Sequence, residues 1–581
     1  MKFILRYMKP FVLSMIFGVT LKFMGTFTDL FLPSLLEYLI DDVVPTKNVR
    51  MIVICGAAML ALSLSGYFLN IVANRMASRV ARDAGRKIRH DLFSRTLELS
   101  CADADKFSVA SLESRLTSDT YNIHHMIGMI QRIGIRAPIL LIGGIIVTLF
   151  MEPVLTLVLI AMLPLIYFVV RYVSGKGVKL YKALQEAADE MVRIVRENSL
   201  GVRVIKALSR QKREAARFDN VNSELTAKEK RAGEVMAVSN PVISFFLNIG
   251  LVLIVLVGAY RVHVGVCEAG KILAFMNYFT MISNALLSIT RIFVMLSKGT
   301  ASAGRIEEVI NAPQKAFEVY GLEKKTDAYI KFENVSFAYG DAEGEAKGKN
   351  AVEDISFELK KGQTLGIIGG TGSGKSTIIN LLVGFYEPCE GRIYIDGKSV
   401  GAYEKDKFRE LFGIATQNPF LYSETIRENI DFGRNLTDAS IEKAADIAQA
   451  SAFIAEKENC YDFMLNSKGN NLSGGQKQRL IISRAVAAEP QILILDDSQS
   501  ALDYRTDANL RRELEAMDGN KNDKTTKIIV AQRVSSVMGA DLIIVLDNGR
   551  IVSSGTHDEL VEKCEIYSEI SKTQMGGAVI D

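Results

Sequence analysis

A chain of 581 residues is too long for one ordinary domain, and domains of ~100–200 residues imply several units. A net charge of +3 and a pI near 8.3 exclude the strong field that a nucleic-acid partner would require. The apolar share of 49% and mean hydropathy of +0.17 exceed those of an ordinary soluble protein, and the excess lies in the N-terminal half. The six cysteines are scattered without C-x-x-C spacing, which argues against a disulfide framework or zinc site and fits reduced thiols facing a cytosol.

The chain opens with basic residues before an apolar run, Met1-Lys2-Phe3-Ile4-Leu5-Arg6, as a signal peptide does. No small-x-small cleavage site follows, and further spans do, so this reads as the cytoplasmic lead into a first membrane helix. Six spans are expected, at about 10–40, 51–74, two within 139–170, then 241–260 and 272–296. The 139–170 stretch is too long for one crossing of ~20 residues, and Met151-Glu152-Pro153 inside it marks the turn of a hairpin. Basic residues cluster before the first span, after the second (Arg75, Arg79, Arg82, Arg86, Lys87, Arg89) and after the fourth (Arg171, Lys176, Lys179, Lys182). That asymmetry places the N-terminus and both long connections in the cytoplasm. The connections, at about 75–130 and 171–235, carry apolar residues at helical spacing with few glycines, so they are expected to be long helical extensions. A polar link near Asn311-Ala312-Pro313-Gln314 closes this half. The expected division is a membrane domain over 1–310, a linker over 311–328, and a second domain over 329–581. In that last part short β-rich runs alternate with helical patterns, the signature of an α/β unit.

The chemistry sits in the α/β part. Gly369-Gly370-Thr371-Gly372-Ser373-Gly374-Lys375-Ser376 fits G-x-x-x-x-G-K-[ST] between a strand-like run and a helical one that starts near Thr377. Glycines let successive N–H groups and a helix N-terminus point at phosphate. Lys375 would then reach the β/γ-phosphates, and the Ser376 hydroxyl would hold Mg²⁺. Asp496 ends the apolar strand Ile492-Leu493-Ile494-Leu495, where a carboxylate can hold the metal directly or through water. Gln417 is placed to contact both metal and a neighbouring domain. Tyr339, shortly before the phosphate loop, is placed to stack on adenine.

Between the phosphate loop and Asp496 lies Leu472-Ser473-Gly474-Gly475-Gln476, which resembles the signature sequence of ATP-binding cassette proteins. The whole chain resembles an ABC exporter half-transporter, a six-helix membrane domain fused to one α/β P-loop cassette. Ser500-Ala501-Leu502-Asp503 resembles that family's D-loop. Two membrane-half segments, Ser114-Arg115-Leu116-Thr117-Ser118-Asp119 and 197–207, resemble the helices that dock on the cassettes. The resemblance implies that two cassettes pair head to tail, with ATP between one chain's phosphate loop and the other's signature. Ser473, Gly475 and Gln476 would thus act on a partner's ATP.

Three departures from the family pattern stand out. Asp497 occupies the position of the glutamate that polarises the attacking water, one methylene shorter. Gln532 replaces a histidine and cannot exchange a proton. Asn466-Ser467-Lys468-Gly469 stands where many exporters have a glycine–glutamate pair that senses the membrane domain. The resemblance then implies the weakly hydrolytic half of a heterodimer in a cell membrane, whose second half-transporter keeps glutamate and histidine and whose cargo is an amphiphilic, drug- or lipid-like molecule. A slow homodimer and an ATP-gated or regulatory membrane subunit are the alternatives.

Overall fold

The structure, a computed structural model, describes residues 1–313, 327–340, 350–517 and 524–575. Most of the expected linker, 314–326, lies outside the described residues. The chain divides into one unit of Met1–Leu97 with Ala110–Asn311, and a second of Glu98–Val109 with Ala312–Asp581.

The first unit is built from six long helices: α1 (Val12–Tyr38), α2 (Val49–Glu98), α3 (Thr120–Met151), α4 (Pro153–Leu200), α5 (Gln211–His263) and α6 (Ala269–Ile310). Among the described residues, five helical stretches are long and apolar enough to cross a membrane: Lys2–Thr46, Val49–Glu98, Val109–Met151, Pro241–His263 and Ala269–Ile310. The segment expected as the fourth crossing opens α4, with the apolar stretch Pro153–Leu165 among the described residues. The turn before it falls at the expected place, Glu152 being extended (φ −156°) and Pro153 starting the next helix, where its missing N–H costs nothing. Both long connections are helical for most of their length, because α2, α4 and α5 run on well past their apolar parts.

Small residues let these helices approach. A Cβ on Gly144 of α3 would lie 2.7 Å from the Ile282 side chain of α6, and one on Gly299 of α6 would lie 2.3 Å from Met126 of α3, so the two helices pack antiparallel along most of their length. At one end of this seam Asp119 is buried and accepts from Ser302 (2.8 Å) and from the Arg305 guanidinium (Nε 2.8 Å), while Asn122 donates to Ser302 (3.1 Å). At the other end Asp41 caps α6, accepting from the N–H groups of Gly270 (2.6 Å) and Lys271 (3.0 Å), which have no partner within the helix. In the segment Ser114 to Asp119, expected at a docking surface, Arg115–Asp119 form a widened π-helical turn that leads into α3 and is tied to α6 through Asp119 and Arg115.

The second unit holds two sheets. An antiparallel one has the order β2 (Val352–Leu359), β1 (Ile330–Phe337), β4 (Glu390–Ile395), β5 (Lys398–Ser399). The other has the order β10 (Arg550–Gly555), β9 (Leu542–Asp547), β3 (Thr364–Gly369), β8 (Thr526–Val530), β7 (Ile492–Asp496), β6 (Phe412–Ala415), parallel from β9 to β6. Its central strands β7 and β8 are buried on both faces: Ile492, Ile494, Ile528 and Val530 point into one core, and Leu493, Leu495, Ile529 and Ala531 into the other. This alternation explains their unbroken apolar runs, and each buried aliphatic side chain contributes about 1.5–3 kcal/mol.

Asp119→Ala should lower the stability of the detergent-solubilised protein by about 2 kcal/mol, because it strands Ser302 and Arg305; the value falls below that of a fully buried pair since Arg305 reaches solvent. Glu308→Ala, which removes an exposed partner of Arg115, should change it by less than about 0.5 kcal/mol. Thermal unfolding of both variants compares the two.

Candidate functional site

Parallel strands end on the same edge of a sheet, and β3, β8, β7 and β6 are consecutive neighbours. The residues just past their C-terminal ends therefore meet: the phosphate loop after β3, Gln532 after β8, Asp496 and Asp497 at the end of β7, and Gln417 after β6.

In the phosphate loop, Gly372 (φ +81°) and Gly374 (φ +98°) take left-handed conformations that few side chains tolerate. Gly369 is required by packing, since a Cβ there would lie 2.2 Å from the Leu546 carbonyl oxygen. Gly370 is different: a Cβ would meet nothing within 4 Å, and its φ is ordinary. The loop leads into α7 (Lys375–Leu382), whose first N–H groups face the loop side. The Lys375 ammonium donates to the carbonyls of Gly369 (2.8 Å) and Gly370 (2.7 Å). Burial lowers its pKa, opposed by the nearby carboxylates of Asp497 and Asp496. Ser373 Oγ is buried and has no hydrogen-bond partner. Thr371 completes the loop, and Thr377 lies buried in the first turn of α7.

Ser376 Oγ lies 3.4 Å from Asp496 Oδ1, which brings the two expected metal-holding groups together. Burial raises the pKa of Asp496; the Ser376 hydroxyl opposes this, Asp497 adds to it and Lys375 opposes it. A dication here would favour the charged carboxylate by the same electrostatic logic. An orphaned hydroxyl, a lysine held only by carbonyls and a serine–carboxylate pair fit a triphosphate with Mg²⁺.

Asp497 is buried, in a left-handed conformation (φ +47°), with its N–H bonded to the Val530 carbonyl (2.9 Å). One of its oxygens, Oδ2, accepts from two amides, Gln532 Nε2 at 2.7 Å and Gln417 Nε2 at 3.3 Å. Gln417 is thereby joined to Asp497, in addition to the metal-side role expected of it. Tyr339 is partly exposed, and its hydroxyl lies 3.4 Å from Thr377 Oγ1 and accepts from Asn380 Nδ2 (3.3 Å). Its ring meets Phe337 and Tyr386 edge to face, with centroids at 4.9 and 5.2 Å.

The signature stands apart. Among the described residues no hydrogen bond joins Ser473, Gly474, Gly475 or Gln476 to the phosphate loop. Ser473 and Gln476 form a reciprocal capping box at the start of α8 (Gly474–Val486): Gln476 N–H donates to Ser473 Oγ (3.3 Å) and Ser473 N–H to Gln476 Oε1 (3.0 Å). A Cβ on Gly475 would lie 3.2 Å from the Ala501 carbonyl, whereas one on Gly474 would meet nothing within 4 Å. Of the run Asn466 to Gly469, Lys468 and Gly469 are left-handed (φ +58° and +60°).

One contact is not legible from the motifs. The short helix Cys101–Phe107, capped by Ser100, belongs to the second unit, and Asp105 accepts a hydrogen bond from the Tyr386 hydroxyl. Burial and this carboxylate push the Tyr386 pKa up. The only sequence signal is the N-cap pattern Ser100-x-x-Asp103.

A family model described as ABC transporter transmembrane region matches residues 15–286, and one described as ABC transporter matches residues 352–500. An uncharacterized ABC transporter ATP-binding protein of Bacillus subtilis, YfiB, is 33% identical over 575 residues, covering 98% of each chain. One of Mycobacterium bovis is 30% identical over 582 residues, covering 99% of this chain and 98% of that protein. The solved structure of a bacterial Atm1-family ABC exporter with ATP bound shares the fold, with a TM-score of 0.80 over 97% of this chain and 98% of that one at 24% identity.

Gly370→Ala should leave the melting temperature within about 1 °C of the parent, since its Cβ meets nothing, while weakening the binding of a fluorescent ATP analogue about tenfold, a loss of ~1.4 kcal/mol. Gly369→Ala should instead destabilise the fold.

Proposed function

This chain belongs to the ABC transporter family and has the fold of an exporter half, and from that premise we propose that it is the weakly hydrolytic half of a heterodimeric exporter. A membrane-spanning region fused to an ABC ATP-binding domain is an ATPase coupled to transport. Its residues fit the parts of phosphoryl-transfer machinery one by one: the loop 369–376 and Thr377 hold phosphate, Tyr339 stacks on the base, and Ser376, Asp496 and Gln417 hold Mg²⁺. Bound ATP with Mg²⁺ supplies the phosphoryl transfer to water that drives the cycle.

The observation that carries the reading is the Asp497 carboxylate, held by two neutral amides. A general base must lie within hydrogen-bond reach of the proton it takes. Asp497 is one methylene short of a glutamate, and a misplacement of ~1 Å costs ~100-fold in rate. Gln532 can donate to the carboxylate, as it does here, but cannot take up or release a proton. The site therefore retains ATP better than it cleaves it.

The signature supports a catalytic role elsewhere. Gly370 and Gly474 are the two glycines of these motifs for which neither the chain's own packing nor a left-handed backbone gives a reason. Glycine at such places serves the close approach of something from outside the chain. A phosphate at Gly370, and a partner's phosphate at Gly474 with Ser473, Gly475 and Gln476, meet that requirement. The partner supplies the intact glutamate and histidine. Basic residues flanking the spans orient the N-terminus and the cassette toward the cytoplasm of a cell membrane. The cargo is an amphiphilic small molecule.

Expressed with its genomic neighbours, the chain should co-purify with a second half-transporter, and Lys375→Ala should reduce ATP binding at its own site at least tenfold. Asp497→Glu with Gln532→His should raise the ATP turnover of the complex about 10–100-fold. Fast turnover and transport by the purified chain alone would reject the heterodimer. ATP-dependent ion current without cargo flux would make it a channel or regulatory subunit.

A further inference from the structure

An apolar groove with a cavity of about 510 Å³ runs between α1 and α3. That volume falls within the roughly 300–1,000 Å³ usual for small-molecule sites. One wall is a ladder of rings at helical spacing, Phe23, Phe27 and Phe31, with successive centroids 6.2 and 4.9 Å apart; the other is Pro138, Ile142 and Ile146. All three rings are half exposed, so the ladder is not spent on packing within the chain.

One end of the groove is charged. Arg136, half a turn before Pro138, pairs with Asp29 at 3.0 Å. Arg132 lies one turn further along α3, its Nε donating to the Gly128 carbonyl (3.0 Å). Lys22, next to Phe23, is buried and donates to Asn70 (2.8 Å) and Asn74 (3.1 Å) of α2. With α2 returning between them, α1 and α3 run in the same direction, and Leu30 against Gly143 brings Lys22 to the level of the two arginines. Arg136 and Lys22 therefore lie beside the single carboxylate of Asp29, and Arg132 adds a third cation near Lys22. At 1.5 Å per residue, Arg136 lies roughly 22 Å from the Met151 end of α3. A hydrocarbon core is ~30 Å thick, so Arg136 lies about 8 Å inside its other edge and Arg132 about 2 Å inside it, where long side chains extend to the level of lipid headgroups.

Cations at this edge commonly serve to orient a membrane protein or snorkel to water. Lys22 does neither, being enclosed between α1 and α2 and fixed by two asparagines. We propose that the groove takes an acidic membrane lipid, its anionic head on Arg136 and Arg132 beside Lys22 and its acyl chain along the phenylalanine ladder. Basic pockets between membrane helices at the headgroup level recognise acidic lipids in this way. Only the further step of regarding that lipid as cargo rests on the transport reading.

The chain contains no tryptophan, so Phe27→Trp places a unique reporter of this chain in the groove. The variant, in complex with its partner and in nanodiscs, is titrated with phosphatidylglycerol brominated on its acyl chains and, separately, with equally brominated phosphatidylcholine; signal from partner tryptophans is subtracted with the parent complex. The acidic lipid should quench at a mole fraction several-fold lower than the zwitterionic one. Arg136→Gln should reduce that preference about fivefold, the effect of one cation at this depth, and Arg136→Lys should keep it. Should Arg136→Gln fail to fold, Arg132→Gln makes the same comparison. Equal quenching by the two lipids overturns the proposal, as does quenching by neither, which would mean that protein covers the groove. The measurement needs no nucleotide turnover, so its failure in a complex that hydrolyses ATP leaves the transport reading standing, and success in an inactive complex leaves the lipid site standing.

Discussion

The functional half of the molecule depends on the order of four strands. Because β3, β8, β7 and β6 lie side by side and parallel, the phosphate loop, Gln532, Asp496–Asp497 and Gln417 emerge on one edge although they are separated by up to about 160 residues of chain. Parallel strands cannot be joined by tight turns, so each crossover must travel over a face of the sheet and cover it. The same crossovers bury the strands from both sides, and this double burial fixes the register that sets Ser376 beside Asp496 and Gln532 beside Asp497. A register slip of one residue would send every core side chain to the opposite face.

The membrane unit obeys a different constraint. In hydrocarbon every backbone N–H and C=O must be satisfied within its own segment, which favours uninterrupted helices. Here they run far beyond the apolar stretches, to 48 residues in α4 and 53 in α5. Polar interactions are concentrated at the ends of the seam between α3 and α6, in the Asp119–Ser302–Arg305 cluster and in the Asp41 cap, while glycine contacts occupy its middle. The charged end of the groove between α1 and α3 departs from this pattern. Unpaired excess charge at that depth is costly to fold around, which is why a function is the more economical account of it.

Much of this was legible in advance, and the reason differs by feature. The hairpin turn at Glu152-Pro153 could be read because proline and a break in apolar character act locally. The phosphate loop, Asp496 and the signature could be read because their chemistry demands particular residues at fixed spacing. The capping box of Ser473 and Gln476 shows that such residues also carry ordinary structural work, which spacing alone does not separate from function. The motifs do not announce that Cys101–Phe107 joins the second unit, nor that 114–119, expected at a docking surface, is tied to α6. Both are short, polar and helical, and nothing local distinguishes them.

The sequence by itself determined the class of each half and singled out the residues expected at a nucleotide site, because apolar length, strand–helix alternation and motif spacing are short-range properties. Only the tertiary structure decided that the Asp497 carboxylate is shared by Gln532 and Gln417, that Gly369 is held by packing while Gly370 and Gly474 are not, and that Lys22, Arg132 and Arg136 converge beside three phenylalanine rings. Those are relations between residues distant along the chain. They follow from which strands and helices become neighbours, and that is settled by burial over the whole unit rather than by any segment within it.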